Sequence, residues 1–100
     1  MNMSEKMLPT ECEVKTMERK EIAKLALNHL YYQAKAVNDF QACHNDRFAT
    51  DELISMIAVA NFLSEISVTA SWEGTDYPHP FRIHTVSVTC DQDELERKVN

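Results

Sequence analysis

Glycine is almost missing from this chain: Gly74 is the single one in 100 residues, where average usage would supply about seven. Phosphate-cradling loops need several glycines so that backbone N–H groups can approach the ligand closely. With one glycine, neither a dinucleotide-binding fingerprint nor a P-loop can be written, which removes the commonest nucleotide-dependent enzymes. Cysteine is sparse and odd in number. Cys12, Cys43 and Cys90 lie far apart, whereas secreted disulfide scaffolds carry denser, even sets. Reduced thiols in a cytoplasmic protein are the expectation. Long apolar runs are lacking too: residues 53–63 form the longest, broken by Ser55 and Asn61, well below the ~20 residues of a membrane span. Residues 1–10 show no basic cluster followed by an apolar run, so no secretory leader is expected. Positive charge is in deficit, with 10 Lys and Arg against 16 Asp and Glu and a net charge of −6. Lys15, Arg19, Lys20 and Lys24 are interleaved with Glu13, Glu18 and Glu21. No basic stripe results, and direct contact with nucleic acid or anionic lipid is not expected.

What remains is the material of one small domain. A chain of 100 residues has room for one core, and 44% hydrophobic with 26% charged residues is the balance of a globular protein rather than a disordered one. Residues 1–9 carry no periodicity and end at Pro9, so they read as a flexible N-terminal arm ahead of a globular domain over 10–90. Thr10 and Glu13 have the spacing of a capping box. From about 17 to 42 there is no Gly or Pro, and Ala23, Leu27, Leu30, Ala34 and Val37 fall on one helical face. A second stripe runs beside it through Ile22, Leu25, His29, Tyr32, Ala36 and Phe40. Asn45 is the expected left-handed break, and Thr50 the expected cap of a second helix over about 51–66. That helix is apolar on most of its circumference, so it needs cover on more than one side, either inside the domain or in a subunit interface.

The period then changes from helical to two. Ile66, Val68, Ala70 and Trp72 alternate with Ser67, Thr69, Ser71 and Glu73, and a second strand-like run covers about 81–89. Its apolar parity shifts after Ile83, which predicts a bulge near His84 and Thr85. The fold class is therefore α+β: a helical hairpin followed by an antiparallel β-hairpin over about 66–73 and 81–89. Residues 91–100 read as an acidic tail or a short C-terminal helix, with Asp93/Arg97 and Glu94/Lys98 four apart.

No motif carries chemistry. Cys43 and His44 in the inter-helix turn and His79, His84 and Cys90 on the hairpin invite a metal reading, but structural zinc sites show close Cys or His pairs, and none is present. Cys43 near a helix C-terminus is poorly placed for a reactive thiolate. No catalytic residue, metal or cofactor is assigned. The most interface-like element is the hairpin loop, where Tyr77, His79 and Arg82 stand among prolines, since Tyr, Trp and Arg dominate binding hot spots and prolines lower the ordering cost. Glu11 and Glu18 belong to a second, acidic candidate surface, against which the interspersed lysines argue for an ordinary solvated face. The expectation is a small acidic, non-enzymatic protein that binds and modulates, typically by inhibition, a protein partner. A nucleic-acid-handling complex in the host of a mobile element is one such setting. The alternatives are a structural or assembly subunit that homo-oligomerises, as a homodimer for instance, through the apolar second helix, and a small metal- or ligand-binding domain.

Overall fold

The computed structural model describes residues 18–75 and 82–99. The arm, the Thr10 capping box and most of the hairpin loop lie outside them. Two helices, α1 (Arg19–Ala42) and α2 (Asp46–Ser64), precede three strands, β1 (Val68–Thr75), β2 (Arg82–Cys90) and β3 (Asp93–Lys98). The strands form one antiparallel sheet in the order β1-β2-β3. The class is α+β, as the change of hydrophobic period predicts.

α1 follows from good helix formers and two apolar stripes. Ala23, Ala26, Leu30, Ala34 and Val37 are buried, and each large aliphatic side chain withdrawn from water contributes about 1.5–3 kcal/mol. Along the second stripe Ile22 is buried, Gln33 beside it donates to Ser55 Oγ at 2.8 Å, and Phe40 meets Phe48 edge-on at 5.5 Å. The first stripe therefore supplies the core, while Gln33 and Phe40 at the border of the second meet α2 and Tyr32 stays exposed. The connection between the helices is shorter than expected. His44, not Asn45, takes the left-handed conformation (φ 59°). Asn45 instead caps α2, its side chain accepting from the Phe48 N–H at 3.3 Å. The helix thus starts at Asp46 rather than after Thr50 and ends at Ser64. An Asn at the N-cap satisfies an orphan N–H as well as Thr50 would, and the Phe40–Phe48 contact favours the earlier start.

In the sheet, Val68 pairs with Cys90, Ala70 with Val88 and Trp72 with Val86, all on the face turned to the helices. Glu73 pairs with Thr85 but Gly74 with Ile83, so His84 is the extra residue of a bulge, where the parity shift places it. The His84 carbonyl accepts from the Val99 N–H at 2.8 Å, and its ring nitrogen Nε2 lies 2.7 Å from Thr75 Oγ1. The single glycine stands beside this bulge. A Cβ at Gly74 would run into the Arg82 carbonyl and stand 3.0 Å from Ile83 Cα, so close backbone approach is what excludes a larger residue there. Buried Asn38 of α1 secures the other side: its amide donates to the Ile83 carbonyl at 3.0 Å and accepts from the Ile83 N–H at 2.9 Å.

The C-terminal segment is a strand, neither a tail nor a helix. Asp91, with φ 57°, and Gln92 make a two-residue turn, after which Leu95 pairs with Val88 and Arg97 with Val86. Val99 is buried. The unpaired edge of β2 offers backbone partners along the whole segment, which outweighs the weak local charge pairs that favour a helix.

The helices cover one face of the sheet. α1 lies over β2 and reaches β3, while α2 lies beside α1 and over β1. Arg19 ties three segments together: Nε donates to the Ile66 carbonyl at 3.1 Å, one terminal nitrogen to the Ser67 carbonyl at 2.8 Å, and the other to Asp91 Oδ1 at 2.8 Å. The Asp91 hydrogen bond raises the guanidinium pKa above its ordinary value, while partial burial works in the opposite direction.

Candidate functional site

Of the residues expected to touch a partner, Tyr77, His79 and Glu11 lie outside the described residues. Glu18 is exposed just ahead of α1, and its carbonyl accepts from the Glu21 and Ile22 N–H groups. Arg82 is exposed at the start of β2. These two are not brought together. Arg82 adjoins Ile83, which is bonded to Asn38, and the helix from there back to Glu18 rises about 30 Å at ~1.5 Å per residue.

The side chains that stand out are apolar ones on the helical layer. Tyr32 is 63% exposed, Ile54 59%, Ile57 51% and Phe48 50%. Their directions follow from helical geometry, in which each residue advances ~100°. Ser55 receives the hydrogen bond from α1, and Met56 is fully buried in the core. Ile54, about 200° from Met56, therefore points away from the core, onto the outer face of the domain. Asp51 and Ala58, three before and four after Ile54, share that face and are exposed. On α1, Tyr32 adjoins Gln33, the partner of Ser55. Tyr32 and Ile54 thus stand at the same level of the helix pair, Ile54 on the outer side with Asp51 beside it, and the Tyr32 ring edge-on to Tyr31 at 5.1 Å and 5.9 Å from the Arg97 guanidinium. Phe48 adds a third apolar side chain at the turn end of the layer.

Compared with protein-family models, curated proteins and solved structures, the chain matches none. Its function has to be read from its own surface.

No group of three or more His, Cys, Asp or Glu side chains among the described residues is placed to hold a metal ion. Cys43 is exposed in the inter-helix turn, Cys90 is buried in β2, and His84 is turned to Thr75. A shallow depression of about 240 Å³ lies between α1 and the β2–β3 turn. Its charges, Lys20, Lys24, Asp93 and Glu94, are of both signs, and Lys20 Nζ lies 3.9 Å from Asp93 Oδ2. Opposite charges that meet each other across a shallow floor leave no net field for an ionic ligand. Arg97, paired by sequence spacing with Asp93, lies instead 3.6 Å above the Tyr31 ring and donates to Asn28 Oδ1 at 2.8 Å. That cation–π contact fastens β3 to α1. No helix among the described residues is long and apolar enough to cross a membrane.

The sequence reading named the hairpin loop, whose Tyr77 and His79 lie outside the described residues, and did not single out the exposed Ile54 and Tyr32. The available signal was the all-round apolarity of α2, which demanded cover on two sides. α1 and the sheet cover two sides of α2, and Ile54 and Ile57 lie on the rest of its circumference, exposed.

Proposed function

We propose that this protein is a non-enzymatic binding domain that docks a protein partner on the outer face of its helical layer, with Ile54 and Tyr32 at the centre. The observation that carries the reading is the exposure of these two side chains at one level of the helix pair. Isolated exposed apolar residues are commonplace, but a Tyr and an Ile exposed at one level of a rigid, packed scaffold are of the kind that dominates binding energy. The rim sets the chemistry of the partner. α2 carries Asp46, Asp51 and Glu52 against Arg47 alone, on a chain of net charge −6. An apolar cleft bordered by Lys or Arg is the complementary surface, and association should then weaken as salt rises. Lacking chemistry of its own, such a domain modulates its partner by occupying a surface.

The test is a comparative capture. Tagged wild type and the Ile54→Lys and Tyr32→Ala variants are incubated with nuclease-treated lysate of the source cell, with circular dichroism melts to verify folding. The expected result is a stoichiometric, salt-sensitive protein partner that is lost with Ile54→Lys at unchanged melting temperature. A partner retained by both variants would overturn the assignment of the surface, and recovery of the chain with no partner would overturn the binding reading.

A further inference from the structure

The two edges of the sheet are chemically unlike. β3 carries five charged residues in six, Asp93, Glu94, Glu96, Arg97 and Lys98, the pattern by which natural edge strands refuse another strand. β1 is the other edge. Glu73 is its sole charged residue in eight, and it has no proline. Its bulge partner and single glycine lie at one end, at Glu73 and Gly74, leaving residues 68–72 as a regular strand. Among the described residues nothing pairs with its outer edge.

The helix above has an apolar flank on the same side. Leu53 and Ile57 are each two positions from Ser55, hence about 200° around the helix from it. Because Ser55 faces α1, both face away from α1. The layer order settles where that is: passing from α1 over β2 to α2 over β1 leads next to the free edge of β1. Ile57 is 51% exposed and Leu53 is partly buried.

We infer that a second copy of this chain covers this side wall, through antiparallel pairing of β1 with β1 of its partner and contact of the two Leu53–Ile57 flanks across a two-fold axis perpendicular to the sheet. The wall complements itself. Antiparallel pairing centred on Ser71 sets Trp72 opposite Ala70 on the inner face and Glu73 opposite Thr69 on the outer one, so the two Glu73 carboxylates stay at opposite ends and no like charges meet. The helices then fall on the same face of one continuous six-stranded sheet, which brings both flanks to the axis. The size is sufficient. Eight residues span about 26 Å, and a sheet and helix layer each about 10 Å thick give a wall on the order of 500 Å² per protomer. The total of about 1,000 Å² is the threshold of a specific interface. The outer face with Ile54 and Tyr32 is not used, so this inference stands apart from the proposed function.

Sedimentation equilibrium of the full chain across micromolar concentrations tests it, together with hydrogen exchange of the β1 amides. The expected species has twice the 11.5 kDa chain mass, with β1 amide protection that rises with concentration. Ile57→Lys and Ser71→Lys should each weaken self-association at least ten-fold, while Ile54→Lys leaves it unchanged. A wild-type monomer at tens of micromolar would overturn the inference without recourse to any variant. So would a dimer that survives both substitutions, or β1 amides protected equally at all concentrations, which would mean another segment of the same chain lies on the edge.

Discussion

Asn38 does with a side chain what a neighbouring strand does with its backbone: both the N–H and the carbonyl of Ile83 are bonded to its carboxamide. The bonds sit beside the bulge, where the ladder is interrupted and buried polar groups would otherwise go unpaired. Each buried, unsatisfied backbone group costs about 1–3 kcal/mol, so Asn38→Ala should destabilise the domain by about 2–5 kcal/mol. Urea unfolding would show this as a lower midpoint at unchanged slope; a shift under about 0.5 kcal/mol would mean that water replaces the carboxamide. Of this arrangement the sequence revealed half. The parity shift after Ile83 betrayed the bulge at His84, because a one-residue insertion moves every later side chain to the other face. Asn38 gave no such signal, since a lone Asn in a helix reads as a solvent-facing residue until its partner 45 residues away is known.

Scarcity of glycine shapes the connections between elements. His44, Ser67 and Asp91 each take a positive φ, near 60°, in the three turns that join α1 to α2, α2 to β1 and β2 to β3. For a residue with a Cβ that conformation costs about 1–2 kcal/mol, less for Asp. Ser67→Gly relieves the strain without disturbing the carbonyl that Arg19 holds. It should stabilise the domain by about 0.5–1 kcal/mol, seen as a rise of a few degrees in the melting temperature; a fall would show that the serine side chain has a compensating role. The same elements show what local pattern can and cannot tell. α1 was legible almost to the residue because 24 residues without a breaker leave one conformation open. α2 was displaced at its start because two acceptable caps, Asn45 and Thr50, lie close together. β3 was missed: its alternation through Leu95, Arg97 and Val99 is brief, while Asp93/Arg97 and Glu94/Lys98 imitate a helix. The decisive partner is the edge of β2, which no local pattern reports.

At the scale of the whole molecule, two helices on one side of a three-stranded sheet cannot enclose an apolar helix, and α2 keeps Ile54 and Ile57 in solvent. The sequence showed that the helix needed more cover than a surface helix has, yet the missing cover depends on how few layers 100 residues can build. The Arg19 clamp has a consequence in time. Its acceptors lie 47, 48 and 72 residues along the chain, so the fork can close only after the helices have met the sheet and both turns have formed. If contacts that close such long loops form late, weakening them acts on escape from the native state rather than on arrival. Arg19→Met is therefore expected to speed unfolding several-fold in stopped-flow experiments and to leave the refolding rate unchanged. Slower refolding would instead place this guanidinium in the folding nucleus. On the expected outcome the clamp acts as a latch, thrown last and released first.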